Sequence, residues 1–441
     1  MKNTKNAFIK KKFLIYGLGK SGISSYLFLK EKNELYLYDD DEKKIFNKKI
    51  KNLIIKKRNI VKLKFDFIVI SPGIDVNKCN LQKILKNNSA KIITDLDIFY
   101  NNYYANKNIT ITGTNGKSTT AKILFEILRN QNIDVRLTGN IGNPILLEKN
   151  ISKKTVFIIE ASSYQIEYSQ NFNTDYAVIL NISPDHLERH GTFKKYIESK
   201  FKLLTNQTKK DFCFLDCDNE LIKREIKKRK IDSKIIKVNI NFKNKDLLKV
   251  NNSYFYSKGN SENLLFILEV IKKFRINKKK LFKIINNFKG LKFRQEIIFK
   301  SKEFTLINDS KATTFASSEN ILKSLNKVYW IVGGIPKKGD KFQLIKKDCL
   351  NFKVYIFGKN KKIFIKNFKN KIDYQTFYDL KAALKKVIKD LRIIRKPEQH
   401  KTILFSPAAA SFDQYKNFED RGQKFNNLCK ELNLNNKFNV R

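Results

Sequence analysis

A chain of 441 residues, 41% apolar and 30% charged, can bury several cores, and none of its apolar runs approaches the ~18 residues of a membrane-spanning helix. The formal net charge of +48 suggests a nucleic acid partner, but the excess is lysine spread through every segment among abundant Asn, Ile and Phe, which reads as A/T-rich coding bias and solvated lysine faces. Five scattered cysteines (Cys79, Cys213, Cys217, Cys349 and Cys429) and a basic opening that runs into a first strand read as reduced thiols in a cytosolic protein, with no disulfide framework, zinc site or signal peptide.

In chain order, the first predicted strand is KFLIYG, followed by Gly17, Gly19 and Gly22 and the helix-forming SGISSYLFLKE. That is the spacing of a dinucleotide loop, in which glycines let the backbone approach a pyrophosphate at a helix N-terminus. Asp39 closes the next strand, LYLYD, about twenty residues on, where a nicotinamide-dependent dehydrogenase places its ribose-binding acid. A third run, FDFIVISPGI, ends in a loop of Ser71, Pro72 and Gly73.

A second set of strands starts near Asn108 with NITITG and continues as TVFIIE, YAVILN and DFCFLD. A third starts near Phe293 with FTLIND, VYWIVGG, KVYIFG and TILFSP. Strands alternating with amphipathic stretches predict an α/β protein with parallel sheets, and the polar motifs follow strand ends, the edge where such sheets hold ligands. In ITGTNGKSTT, residues Gly113, Thr114, Asn115, Gly116, Lys117, Ser118 and Thr119 form a shortened phosphate loop, since position 111 is Ile. Its backbone N–H groups and the following helix, STTAKILFEILRNQ, would face a triphosphate; Lys117 would reach the β and γ phosphates and Ser118 would ligate Mg²⁺. Glu160, ending TVFIIE, is placed as a metal carboxylate, with a plain helix-start acid as the alternative. His186, in NISPDHLERHG, reads by itself as a loop histidine, and Lys200, in TFKKYIESKFKLL, is one of 90 basic residues. An NAD-dependent oxidoreductase and a nucleic-acid-binding ATPase stay open as other readings of the glycine loop and the charge.

Together, TGTNGKST, EASSYQIE, NISPDHLERHG, NDSKATT and SPAAASFDQYKNFEDRG resemble the ATP-dependent Mur ligases of peptidoglycan precursor synthesis, in order and over essentially the whole chain. The resemblance implies three domains: a Rossmann-like domain over 1–106 that holds a UDP-sugar with no nicotinamide, a central P-loop ATPase over 107–292, and a Rossmann-like C-terminal domain over 293–441 for the amino acid. It implies a cytoplasmic, monomeric ligase that uses ATP and two Mg²⁺ ions to join D-glutamate to UDP-N-acetylmuramoyl-L-alanine. Gly17, Lys20, Ser21, Asp39, Asp40, Ser71 and Gly73 would then surround uridine diphosphate, and Asn140, Ser162 and Ser163 would lie near the substrate. Lys117 would be the phosphate lysine, Ser118 and Glu160 would ligate one metal ion, and His186 and Lys200 the other, with Lys200 where the family carries a carbamylated lysine. Asn263 and Arg294 would contact ATP, Asp309 its ribose, and Lys311 the reacting phosphate or carboxylate, while Thr313, Lys337, Ser411 and Phe418 would line the D-glutamate pocket. Two positions depart from the pattern: Gly259 replaces a histidine before the ATP-binding asparagine, and Asp95 stands where a glutamate is often seen.

Overall fold

The computed structural model describes residues 8–41, 50, 53–240, 247–337, 339–393 and 400–432. The chain forms two compact units, one of residues 1–251 with 260–286 and one of residues 252–259 with 287–441. Among the described residues no helix is long and apolar enough to cross a membrane.

The first unit contains two sheets. Strands β1 (Lys12–Tyr16), β2 (Glu34–Tyr38), β3 (Phe67–Ile70) and β4 (Ile92–Ile93) pair in parallel in the order β2-β1-β3-β4. Strands β5 (Asn108–Thr112), β6 (Val135–Gly139), β7 (Val156–Glu160), β8 (Tyr176–Ile179), β9 (Phe212–Leu215) and β10 (Lys234–Lys237) form an all-parallel sheet in the order β10-β9-β8-β5-β7-β6. Central strands are apolar at successive positions because helices cover both faces. In β1, Phe13 and Ile15 enter one apolar cluster and Leu14 and Tyr16 another. The first of these clusters continues into the second sheet, where the rings of Phe99 and Phe157 lie 4.7 Å apart.

A polar rivet reinforces that joint. Thr94 and Asp97 form a capping box on the helix Asp95–Tyr103. The fully buried Asp97 carboxylate also accepts hydrogen bonds from Ser169 Oγ (2.9 Å) and from the backbone N–H groups of Gln170 (2.8 Å), Asn171 (2.7 Å) and Phe172 (3.1 Å). Burial alone would raise its pKa, and these donors offset part of that by stabilising the anion.

The second unit is built on β11 (Glu296–Lys300), β12 (Phe304–Asn308), β13 (Lys327–Gly333), β14 (Phe352–Phe357), β15 (Asp373–Phe377) and β16 (Lys401–Phe405), in the order β11-β12-β16-β13-β14-β15. All its pairings are parallel except β11 with β12. Along β13, Val328, Trp330 and Val332 face one apolar cluster, while Tyr329 and Ile331 face the other.

Strand order places the loops that matter. β1 lies between β2 and β3, and β5 between β7 and β8, so the loops leaving β1 and β5 open at points where successive connections diverge to opposite sides. Ligands of open parallel sheets bind at such points.

Candidate active site

After β1 the chain turns at Gly17, whose φ of +88° suits glycine and whose absent Cβ would lie 2.8 Å from Ser71 Cβ. A Cβ on Gly22 would stand 1.9 Å from the Gly17 carbonyl, so this glycine lets the helix Lys20–Leu29 pack onto the loop. At Gly19 a Cβ would meet nothing within 4 Å, leaving the helix N-cap open to a ligand. Asp39 Oδ2 accepts from Leu18 N (2.6 Å) and Oδ1 from Asp41 N (3.0 Å), while Asp40 Oδ1 accepts from Tyr16 Oη (2.7 Å). Ser71 Oγ donates to the Gly17 carbonyl (2.6 Å). Asp39 and Ser71 therefore also hold the loop's shape, a task the sequence did not reveal. Lys20 is exposed and Ser21 half-buried beside Gly19.

The loop after β5 is tied to both neighbouring strands. Asn181, just beyond β8, accepts from Thr114 N on its carbonyl (2.9 Å) and from Asn115 N on Oδ1 (2.9 Å), and donates from Nδ2 to the Asn115 carbonyl (3.1 Å). Gly116 has φ +86°, and a Cβ there would lie 2.1 Å from Asn263 Oδ1, so the buried Asn263 amide sits directly against the loop. The helix Lys117–Asn130 starts at that glycine, with Ser118, Thr119 and Thr120 buried in its first turn. On the other side Ser118 Oγ donates to Glu160 Oε2 (2.6 Å), and Asn140 Nδ2 donates to Glu160 Oε1 (3.3 Å). The loop lysine folds back, Lys117 Nζ donating to the carbonyls of Gly113 (2.9 Å) and Thr114 (2.8 Å).

Lys200 meets Lys117 at one acceptor. The helix Phe193–Phe201 carries it, 1% exposed, so that Nζ donates to the same Gly113 carbonyl (2.9 Å) and lies 4.5 Å from the Tyr196 ring centroid. Among the described residues its ammonium has no carboxylate within ion-pair reach. Burial, with repulsion from Lys117, drives its pKa well below the usual lysine range, and the Asp185 charge only partly opposes this. His186 adopts left-handed backbone (φ +54°) and its ring lies 3.4 Å from Asp185 Oδ2, 3.6 Å from Glu188 Oε1 and beside Tyr164. The same turn reaches the first sheet's loops: the Arg189 guanidinium donates to the carbonyls of Gly73 and Ile74, and Lys78 Nζ donates to the Glu188 carbonyl (3.0 Å).

As a metal site the arrangement is uneven. Ser118 and Glu160 offer hydroxyl and carboxylate oxygens side by side, which suits a hard cation beside phosphates. His186 and Lys200 do not by themselves make a second set, because a lysine side chain offers no oxygen to a hard cation; an oxygen-bearing adduct on Nζ would. Among the described residues no three His, Cys, Asp or Glu side chains cluster as a cage, so any ion here would take part of its shell from substrate or water.

In the second unit Asp309 follows β12. It is fully buried, with Oδ2 accepting from Ser406 Oγ (2.9 Å) and Oδ1 from Gln295 N (3.1 Å). Burial pushes its pKa up to about 7, against the pull of its donors, Arg294 and Arg421. Phe293 and Gln295, flanking Arg294, both have positive φ, and Lys311 N donates to the Phe293 carbonyl (2.9 Å). Lys311 Nζ lies 4.0 Å from the centroid of Phe418, the first residue of the helix Phe418–Glu431. Thr313, Lys337 and Ser411 sit in the loops after β12, β13 and β16. Those loops are stitched together: Phe315 N donates to Asp340 Oδ2 (2.8 Å), and Ile335 and Ala410 exchange backbone hydrogen bonds (2.8 and 2.9 Å). Trp330 Nε1 donates to the Ser406 carbonyl (2.7 Å), behind the Asp309 carboxylate.

The side chains that sequence reasoning missed, Asn181, Tyr164, Asp185, Arg189, His190 and Tyr196, gather around the loop after β8. They lie within the motifs NISPDHLERHG, EASSYQIE and TFKKYIESKFKLL but were given no role there, and the placement of β8 beside β5 brings Asn181 to the phosphate loop.

Known proteins resemble the chain over nearly its whole length. Residues 111–286 match the Mur ligase middle domain. The chain is 33% identical to a UDP-N-acetylmuramoylalanine--D-glutamate ligase of Rickettsia prowazekii, covering 96% of this chain and 99% of the relative, and 32% identical to one of Buchnera aphidicola, covering 97% and 99%. Among solved structures, a MurF ligase of Thermotoga maritima crystallised with ADP superposes with a TM-score of 0.57 at 14% identity, covering 98% of this chain and 97% of that one. At that identity the likeness speaks for the fold.

Proposed function

Because the chain belongs to the Mur ligase family, we propose that it joins D-glutamate to UDP-N-acetylmuramoyl-L-alanine at the expense of ATP, in making a peptidoglycan precursor. The observation that carries this reading is the convergence of Lys117 and Lys200 on the Gly113 carbonyl, beside the Ser118–Glu160 pair. Lys117, at the N-terminus of its helix, supplies positive charge suited to a triphosphate, and the buried Lys200 amine stands beside it as the group to be carbamylated.

In this reading the alanyl carboxylate attacks the γ-phosphorus, the bond to the β-phosphate oxygen breaks, and acyl phosphate and ADP result. Lys117 leaves its two carbonyls to follow the charge onto the transferring group. The neutral amine of D-glutamate then attacks the acyl carbon, and the tetrahedral adduct expels phosphate and loses a proton to give the amide. Mg²⁺, when bound, supplies neutralisation of phosphate charge; Ser118 and Glu160 would hold one ion, and His186 with Lys200 the second once the Lys200 amine has taken up CO₂ as a carbamate. The depressed basicity of Lys200 favours that addition, since CO₂ reacts with the neutral amine. Gly17, Gly19, Lys20, Ser21, Asp39, Asp40, Ser71 and Gly73 are assigned to the uridine diphosphate, and Asn140 and Ser162 to the acyl end. Asn263, Arg294 and Asp309 are assigned to ATP, Lys311 to the reacting group, and Thr313, Lys337, Ser411 and Phe418 to D-glutamate.

The test is direct. The chain is incubated with ATP, Mg²⁺, UDP-N-acetylmuramoyl-L-alanine and one amino acid at a time, and products are weighed by mass spectrometry. A product of the mass of the D-glutamyl amide, with D-glutamate alone, is expected. Product with a different amino acid and none with D-glutamate would overturn the assignment.

A further inference from the structure

Behind Ser163 lies a buried string of side chains that the reaction above leaves unused. Ser163 opens the helix Ser163–Tyr168, directly after the Glu160 strand end, and is 4% exposed. Its Oγ lies 3.0 Å from Nε2 of His190. His190 is itself buried, stacked on Tyr164 (centroids 5.3 Å, 25° between planes) and met edge-on by Tyr196 at 5.3 Å. Its other nitrogen, Nδ1, faces Glu167 Oε2 at 3.4 Å, an electrostatic contact, and neither of these buried atoms makes a hydrogen bond.

Those contacts select one proton arrangement. A ring nitrogen facing a carboxylate carries the hydrogen, since a lone pair there would be repelled. With hydrogen on Nδ1, Nε2 of the neutral ring is an acceptor, and the hydrogen of the Ser163 hydroxyl must point to it. The ring is enclosed by Tyr164 and Tyr196 and buried from water, surroundings that favour its neutral form. The Ser163 oxygen then keeps its lone pairs for a donor on its other side.

We propose that His190 and Glu167 are positioning residues that lock the Ser163 hydroxyl as a hydrogen-bond acceptor, aimed at an N–H donor, such as an amide, at the acyl end of the bound nucleotide-sugar. The inference rests on the proposed function and takes Ser163, next to Ser162 and just after the Glu160 strand end, to lie beside the acyl end. A serine free to rotate would serve donors and acceptors equally; this one discriminates against a ligand that offers an oxygen where the N–H belongs.

The experiment is a double-mutant cycle on the full chain, with UDP-N-acetylmuramoyl-L-alanine as probe, reading its Kd by calorimetry together with kcat, KM and Tm. Ser163→Ala and His190→Phe, the latter keeping the stacked ring, should each weaken binding about tenfold, as loss of one buried hydrogen bond does. The double variant should be no weaker than Ser163→Ala alone, because His190 acts through the serine. His190→Gln, which can still accept from the hydroxyl, should recover most of the loss. Glu167→Ala, on a side chain 30% exposed and tolerant of truncation, should reproduce part of the His190→Phe effect even if the latter variant fails to fold. Additive losses in the double variant, or a fall in Tm with Kd unchanged, would overturn the proposal. If the unaltered chain fails to bind the probe at all, the substrate assignment falls instead, which separates the two failures.

Discussion

Replacing Gly116 with alanine should damage nucleotide binding while leaving the fold intact. The residue holds φ +86°, where an L side chain costs about 1–2 kcal/mol. The new Cβ would also lie 2.1 Å from Asn263 Oδ1 and 2.6 Å from its Cγ and Nδ2, too close for any adjustment short of turning the amide away. Losing that amide's place against the loop adds about 1 kcal/mol, the scale of one hydrogen bond. A loop disfavoured by a total of about 2–3 kcal/mol must be restored before phosphates can be gripped, so ATP affinity should fall roughly 30- to 150-fold. Gly259→Ala is the internal control. It lies in the helix Lys258–Ile271, and an added Cβ there meets nothing within 4 Å, so alanine should bind ATP normally and stabilise slightly. Isothermal titration with a non-hydrolysable ATP analogue measures both. Affinity for Gly116→Ala within threefold of the parent would refute the claim that this loop conformation holds the nucleotide.

Other outcomes follow from the same geometry. Lys117→Ala should lower turnover at least ~100-fold, read as phosphate release, because it removes the mobile charge at the transferring group; near-normal turnover would remove the residue from the mechanism. Asp97→Ala strands four backbone N–H groups, those of Thr94, Gln170, Asn171 and Phe172, and the Ser169 hydroxyl, and should cost about 3–5 kcal/mol in unfolding of the first unit, a loss under about 1 kcal/mol being incompatible with the rivet. Two buried sites, one in each unit, should respond oppositely to pH. Asp309, raised from 3.8 to about 7, holds its proton more tightly when folded, so its contribution is complete below pH 3.8 and is lost as pH rises towards 7. His190, lowered from 6.5 to about 4, contributes fully above pH 6.5 and loses this as pH falls towards 4. Between pH 5 and 6.5, hydrogen exchange should therefore quicken with rising pH around β12, beyond the intrinsic rate change, and slow around residues 187–190 after the same correction.

The central strands were legible because burial on both faces writes an uninterrupted apolar run, as in FLIY of β1 or VFII of β7. Most edge strands were not. β4, β6, β10, β11 and β15 were absent from the predicted runs and each lies at the border of its sheet; β4 is only two residues long and the other four have partly exposed patterns that break the run, whereas the edge strand β2 was read as LYLYD. The phosphate loop was readable because glycine, lysine and serine have local conformational and charge requirements at a strand-to-helix turn. Lys200 was not distinguishable by composition among so many lysines; only family resemblance singled it out, and its burial is a property of packing against Tyr196 and Gly113. His190 and Asn181 lie in the quoted NISPDHLERHG, yet their roles were not legible for a related reason, since their partners Ser163 and Asn115 lie on other elements brought to them by the fold. The opposite holds for Asp39 and Ser71, which were picked as ligand contacts and turn out also to brace the loop they belong to.

The chain contains a single tryptophan, Trp330, in the second unit. Its indole N–H is bonded to the Ser406 carbonyl, and the hydroxyl of the same serine is bonded to the Asp309 carboxylate. A change of charge or solvation at that carboxylate therefore alters the electric field at the one indole chromophore. Red-edge excitation, which tyrosine does not absorb, leaves the first unit dark, so the emission wavelength of the unlabelled protein is a built-in readout of the surroundings of the Asp309 carboxylate.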